Sequence, residues 1–488
     1  MLFWLLLLGI FTYVVVKRSV ANVTRTPTWL LWLVMMLPAF SLVIWASVQG
    51  SEEPFPTVLL ISLFVLCPLL YWWLIQWGRP QPAAQVKARP SERTTLPSSE
   101  ESKSTLRPMN RDEEATLKHC FPWTVYYLQN IEYRPQAMIC RGQLRATPTV
   151  AYETVRENVH SRFGDRFLLV FQEGFNGKPF FALVPNPRTQ TQQMSTQPPL
   201  TRPGLALGLF LTTVFTTTGV GAIIAGVSEE TLQADPASIL RGLPYALALM
   251  AILGIHELGH YLMARRYQIQ TTLPYFIPVP FFLGTFGAFI QMRSPVPNRR
   301  ALFDVGIAGP MAGLVITLPV LLLGLRLSTV VPLAEEASLL NFEALDPSAS
   351  VMVALLSKLA LGSRLTLEHA IHLHPMAVAG CLGLVVTALN LMPVGQLDGG
   401  HIVHAMYGQR TGAIIGQVSR LLVLALAVVH PELLIWAILL FFIPAVDEPA
   451  LNDVSELDNQ RDLWGLMSLV VLVMIVLPAP SPLLSLLF

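Results

Sequence analysis

The residues with the clearest chemical purpose are His256, Glu257 and His260, two imidazoles and a carboxylate at the end of the uncharged apolar run Gly242 to Ile255. A membrane interior seldom tolerates such a trio without a task. On a helix, residues four apart lie one above the other. His256 and His260 therefore offer two nitrogen ligands to one metal ion, and Glu257 sits beside the water that such a metal activates. With 10 His and 31 acidic residues in 488 positions, random placement gives the pattern roughly 0.01 times per chain, which makes histidines that merely pack between helices the weaker reading. A catalytic zinc needs a third protein ligand and one open position. The best candidate is Asp398, the only acidic residue in the stretch Asn390 to Gly400, which follows the apolar run Pro375 to Leu389.

The pair of sites, His-Glu-x-x-His on one apolar segment and Asn-x-x-Pro-x-Gly-x-x-Asp-Gly-Gly on a later one, resembles the site-2 protease family of intramembrane zinc metalloproteases. The flanking sequence, Pro274-Tyr275-Phe276 and then Gly284-Thr285-Phe286-Gly287-Ala288-Phe289, looks most like the EGY-type branch of chloroplasts and cyanobacteria. The resemblance covers about Arg202 to Gln409 with specific motifs and extends more weakly upstream. There Arg141-Gly142-Gln143-Leu144-Arg145 is similar to the Gly-Asn-Leu-Arg element of EGY-type proteins, with Gln143 in place of Asn. It implies one zinc ion per chain, held by His256, His260 and Asp398, with Glu257 as the general base. It further implies Asn390 as a donor to the developing oxyanion, although an amide capping the broken helix is nearly as good a reading. Pro393, Gly395, Gly399 and Gly400 would break the helix so that Asp398 turns toward the metal.

These residues need a membrane scaffold, and the composition supplies one. The chain is 53% hydrophobic and only 13% charged, with a mean hydropathy of +0.54, which reads as a mainly α, polytopic membrane helix bundle. A net charge of +1 and the absence of a basic block interleaved with aromatics argue against nucleic acid as a partner. The four cysteines are scattered without metal or disulfide spacing and read as packing residues.

Five segments are expected. Residues 1–78 hold three apolar runs, about Leu2 to Val16, Thr28 to Val48 and Thr57 to Trp77. No Arg- and Ser-rich transit peptide precedes them, so a bacterial setting, a cyanobacterial plasma or thylakoid membrane, is expected. Residues 79–115 form a flexible linker too polar to bury a core. Residues 116–201 hold a small soluble α+β module and its connector. In it Ala137 to Leu144 reads as a strand, Thr147-Pro148 starts a helix that stops at Gly164, and Phe167 to Phe171 with Phe180 to Val184 reads as a hairpin. Substrate gating is its functional reading and a passive spacer the alternative. Residues 202–445 are the metalloprotease core, with spans at about Leu205 to Val227, Ile239 to Tyr261, Leu302 to Leu325, Pro375 to Met392, Gly412 to Val429 and Leu433 to Ile443. Val351 to Gly362 is too short to span. Residues 446–488 form a cytoplasmic loop and a last span, about Leu463 to Leu477.

Pro274 to Met292 is apolar but too rich in Pro and Gly for a spanning helix, so a re-entrant loop or hairpin near the active site is expected. A strand edge there would pair with an unwound substrate, and Gly284 and Gly287 are placed as substrate-binding positions where backbones approach closely. Gly309 and Gly313 form a small-residue face for tight helix packing and carry no chemistry of their own. His369, His372 and His374 read as a polar end rather than a second metal site, and His401 and His404 as solvated helix positions rather than supports of the site. Lys17, Arg18, Arg25, Arg79, Lys87 and Arg265, Arg266, Arg293, Arg299, Arg300 mark one side as cytoplasmic. The expected function is hydrolysis of peptide bonds in membrane-embedded helical substrates near that face. The alternative is a metal-binding membrane transporter or a non-enzymatic scaffold, and Glu257 separates the two, because a carrier needs no base. The bilayer and transmembrane protein substrates are the expected partners.

Overall fold

The computed structural model describes residues 26–49, 111–134, 137–174, 176–186, 202–279, 283–332, 345–366, 369–429 and 433–487, with scattered positions between 9 and 77. Two compact units divide the chain, residues 1–98 and 99–488. In the first, helix α1 (Thr28–Gln49) follows the second apolar run. Leu31 and Val34 on it are buried with Val16, Cys67 and Leu74, and Thr26 donates to the Leu74 carbonyl at 2.7 Å. The first and third apolar runs lie mostly outside the described residues, as does the linker up to residue 110.

The second unit opens with helix α2 (Arg111–His119). The linker was expected to run through residue 115. Arg111 to Glu114 are helical instead, tied down where Glu113 accepts from Arg166 at 2.6 Å and Glu114 from Tyr133 at 2.6 Å. The module that follows has strands β1 (Tyr126–Arg134), β2 (Ala137–Leu144), β3 (Phe167–Glu173) and β4 (Pro179–Pro185) in the order β1-β2-β4-β3, all antiparallel. The strand, helix and hairpin expected from sequence are all present, and β1 is an addition. Helix α3 (Pro148–Phe163) starts after Thr147 with Pro148 in its first turn. It ends at Gly164, whose φ of 57° suits a residue without a Cβ. Val155 and Val159 point from it into a core of Tyr126, Phe171 and Phe181, where Phe171 stacks on Phe181 with centroids 4.1 Å apart.

The helical part has α4 (Pro203–Ile224), α5 (Leu243–Arg266), α6 (Arg299–Arg326), α7 (Val351–Leu361), α8 (Pro375–Leu391), α9 (Asp398–Tyr407), α10 (Gln409–Val429), α11 (Leu434–Phe442) and α12 (Asn459–Val476). Six helices among the described residues are long and apolar enough to cross a membrane: α1, α4, α5 with the 3₁₀ turn before it, α6, α10 and α12. The protein is a multi-pass membrane protein. Leu433 to Ile443 was expected as a further span, but α11 has nine residues, about 14 Å at 1.5 Å per residue against a hydrocarbon core of about 30 Å. Large apolar side chains on the outer faces, Leu207, Phe215 and Val428 among them, are exposed, as the lipid-facing surface of a bundle requires.

Helices α5, α6 and α8 pack on one another at the centre, and α9 packs on α6. Sequence dictates the local details. Asn298 caps α6 by accepting from the Ala301 amide at 2.9 Å, and Pro375 sits in the first turn of α8. Two short two-stranded sheets complete the unit. Strands β5 (Tyr275–Pro278) and β6 (Thr285–Phe289) pair antiparallel within the Pro- and Gly-rich stretch. β7 (Thr329–Pro332) pairs with β8 (His369–His372), which the sequence did not suggest.

Candidate functional site

Helix α5 carries His256, Glu257 and His260 on its last turns, all buried. Their partner comes from a break between helices. α8 ends at Leu391, the chain turns through Pro393 and Gly395, and α9 begins at Asp398. The break is built on close backbone contact. Gly395 has φ 50°, and a Cβ there would lie 1.8 Å from the Pro444 carbonyl oxygen. Cβ atoms at Gly399 and Gly400 would meet the carbonyls of Leu391 and Gly395 at 2.0 and 2.1 Å. The turn is thereby tight enough to bring Asp398 back to α5.

The result is a convergence of donors. The Nε2 atoms of His256 and His260 are 3.2 Å apart, and Asp398 Oδ2 lies 3.6 Å from the first and 3.2 Å from the second. His260 Nδ1 donates to the Val305 carbonyl at 2.8 Å, which leaves Nε2 with its lone pair directed at the cluster. Two ligand atoms each about 2.0–2.1 Å from a tetrahedral zinc stand about 3.3 Å apart, so all three edges have the size a zinc ion requires. Among the described residues this is the only group of three or more such side chains that could hold a metal. Asn390 reaches it, its Nδ2 3.3 Å from His256 Nε2. Glu257 faces the hairpin, with its carboxylate beside the backbone amide of Ile290.

Gly309 and Gly313 do more than pack helices. A Cβ on Gly309 would lie 2.0 Å from His260 Nε2, and one on Gly313 would lie 3.1 Å from His256 Nδ1. Their absence of side chains is what lets α6 pass while both imidazoles keep their positions. Gly284 and Gly287, both with positive φ, separate in role. A Cβ on Gly284 would meet the Thr217 backbone at 2.6 Å, so its close approach is to α4, and Thr216 donates to its carbonyl at 2.7 Å. Gly287, with φ 105°, faces open space.

The remaining histidines depart from expectation. His404 is not solvated: it is 1% exposed and lies between Asp447 and Asp453. His401 bonds to Asp447 as well. The reason is tertiary, because the segment after α11 folds back over α9. Asp447 and Asp453 carry no spacing signal, so sequence reasoning passed them over. His374 caps α8, accepting from the Met376 amide at 3.2 Å, while His369 and His372 lie on β8 and assemble no second metal group among the described residues.

Comparison with known proteins agrees with this geometry. Residues 244–429 match the model of peptidase family M50, and residues 115–193 match the EGY3 middle domain. The chain is 29% identical over 371 residues to the probable zinc metalloprotease EGY2, chloroplastic, of Oryza sativa subsp. indica, covering 74% of this chain and 65% of that protein. It is 34% identical over 238 residues to the probable zinc metalloprotease EGY1, chloroplastic, of Arabidopsis thaliana, covering 48% of this chain and 43% of that one. Against the rice EGY3 protein of the same description, identity is 25% over 375 residues, with 74% and 63% covered. No solved structure matches. Residues 244–429 carry a peptidase family M50 (site-2 protease) domain, and the relatives that share it are named as probable zinc metalloproteases. Within that class it sides with the EGY-type proteins, of which it spans about two thirds or less. These relatives are named as chloroplast proteins of plants, and they lend no support to the bacterial source expected from the N-terminal residues.

Proposed function

We propose that the protein is an intramembrane zinc metalloprotease that hydrolyses peptide bonds in membrane-embedded helical substrates near the cytoplasmic face. The observation that carries this reading is the meeting of His256, His260 and Asp398 at zinc-sized spacing with Glu257 buried on the same helix turn. Bound zinc supplies Lewis acidity, activating water at neutral pH and polarising the scissile carbonyl. Glu257 takes the proton released by the attacking water and delivers it to the leaving amine. Asn390 donates a hydrogen bond to the carbonyl oxygen as charge develops there. A carrier or scaffold would have no use for Glu257.

A helical substrate hides its carbonyls in its own hydrogen bonds and must unwind before it can be cut. Strand β6 suits that need. Among the described residues it pairs with β5 on one side only, leads into Ile290 beside Glu257, and exposes Phe286 and Phe289. In this reading the hairpin is a re-entrant element whose outer edge pairs with the unwound segment, Gly287 leaving room for it. Arg265, Arg266, Arg293, Arg299 and Arg300 follow the site in the chain, and this excess of basic residues supports cleavage near the cytoplasmic face.

The test is metal analysis of the purified chain together with a proteomic search for membrane proteins that accumulate when Glu257 is changed to Gln. Stoichiometric zinc and an accumulating set with single apolar helices are expected. A zinc-loaded protein with no accumulating membrane protein would overturn the protease reading in favour of a carrier.

A further inference from the structure

The segment from Pro444 to Asp453 takes no part in the chemistry above, yet it brings two carboxylates into the interior. Asp447 is 7% exposed, Asp453 4% and His404, between them, 1%. His404 donates from Nδ1 to Asp447 Oδ2 at 2.7 Å and from Nε2 to Asp453 Oδ1 at 2.9 Å. Carboxylates only accept, so both ring nitrogens carry hydrogen and His404 is an imidazolium. His401 Nδ1 donates to the same Asp447 oxygen at 2.9 Å. Arg299, at the start of α6, pairs with Asp453 at 3.3 Å, which leaves two carboxylates balanced by two cations and makes their burial sustainable. The cluster is no second metal site, because His404 has no free lone pair and Arg299 adds positive charge.

The geometry of these bonds is that of a bracket. His401 and His404 are three apart on α9, so they share a face, and two bonds from that face to one oxygen fix both the roll and the height of the helix. The oxygen itself is fixed. Pro444 lies against Gly395, and Gln409 donates to the Asp447 carbonyl at 2.8 Å. Beyond Asp447 the strap is held on both sides: Leu451 and Asn452 donate to Val296 and Pro297 at 2.9 and 3.0 Å, and the Phe171 amide of β3 donates to Leu451 at 2.7 Å. The other oxygen of Asp447, Oδ1, is buried with no partner among the described residues, a cost that stability alone does not favour.

We propose that Asp447 is a positioning residue for the metal centre: through His401 and His404 it sets the orientation of α9 and so holds the Asp398 carboxylate against His256 and His260. The proposal rests on the reading of Asp398 as a ligand, one turn before His401 on the same helix. Because the strap is seated on β3, the soluble module shares in fixing that position.

The test is zinc affinity of the full chain in detergent or nanodiscs, measured by competition with a fluorescent chelator, with circular dichroism and thermal melting to verify the fold. Asp447→Ala is expected to weaken zinc about tenfold, the scale on which supports behind a metal ligand act. Asp447→Asn keeps an oxygen that can accept from both imidazoles and should stay within a few-fold of the parent. His401→Ala removes one bond at a partly exposed position and should fall between them, which keeps the test open if Asp447→Ala fails to fold. Parent-like affinity in folded Asp447→Ala and His401→Ala, or equal losses in Asp447→Asn and Asp447→Ala, would overturn the proposal. Asp398→Ala is the control: undiminished zinc there means that the ligand assignment has failed, whereas strong loss there with none at Asp447 or His401 sinks the positioning role alone.

Discussion

Glu257 and its neighbours illustrate how little separates binding from hydrolysis at the scale of one side chain. Glu257→Gln keeps the size and the Ile290 contact while removing the base. Zinc content should stay stoichiometric and cleavage of a reconstituted substrate should fall by about 10²–10⁴-fold; zinc loss in that variant would count against its assignment as base. Gly309 tests the site from the opposite side. Its missing Cβ would lie 2.0 Å from His260 Nε2, a distance that no rotamer change of the alanine methyl can relieve. Gly309→Ala should therefore lose zinc as Asp398→Ala does, although it adds one methyl and touches no ligand chemically. Normal zinc loading there would mean that α6 can shift away from α5 at small cost.

Two elements matter above that scale: the broken helix that presents Asp398 and the β5–β6 hairpin. The break works because three glycines let carbonyls approach where side chains would collide. The hairpin leaves one edge of β6 without a strand partner among the described residues. At Gly287 the backbone has φ 105°, a region that a β-branched side chain strains to adopt. Gly287→Val should keep expression and zinc, because nothing of the metal cluster touches it, yet abolish cleavage of a helical substrate. A short peptide already extended in solution should be cut with a smaller loss. Equal loss on both substrates, or none on either, would leave the hairpin as packing.

Over the whole molecule, the strap joins the module, α6 and α9 in one unit through charges that are sensitive to pH. His404 lies outside the six candidate spans. Burial opposes its charge, but its hydrogen bonds to Asp447 and Asp453 prevail and push its pKa up to about 9. The facing groups are those two carboxylates, Arg299 behind Asp453, and His401 on its own helix. A pKa raised on folding contributes stability that is fully present below the unfolded value near 6.5 and is lost as pH rises through about 9. The carboxyl of Asp447 is held below its ordinary range by His401 and His404 against the cost of burial, and its contribution fades only as pH falls below about 4. The melting temperature of the solubilised protein should thus be level between about pH 4 and 6.5 and decline from there to about 9. His404→Gln should start lower and lose that decline; an unchanged slope in the variant would place the titrating group elsewhere. Removing residues 116–187 should leave the zinc site assembled, with affinity lowered no more than in Asp447→Ala because Val296 and Pro297 still hold one side of the strap, while changing which substrates are cut. Loss of zinc would make the module part of the core fold.

The amino-acid sequence by itself determined everything that depends on local spacing. His256, Glu257 and His260 share a helix turn because 3.6 residues make one, and Pro393 with Gly395 favours a break, although Pro310 and Pro319 stand inside α6. The strand at Ala137, the helix stopped at Gly164 and the hairpin after it follow from periodicity and from Gly and Pro chemistry, which act over a few residues. What required the tertiary structure was every relation between distant segments. That Gly309 makes room for a ligand, that Gly284 packs on α4, and that β1 completes the module's sheet are facts of chain crossing. His404 shows the reason most plainly. Judged on its helix alone it is a polar residue at a solvated position, and only the return of residues 447–453 supplies two carboxylates to bury it. Carboxylate and imidazole attract over a few ångströms in space but impose no spacing in sequence, so no local pattern announces their meeting.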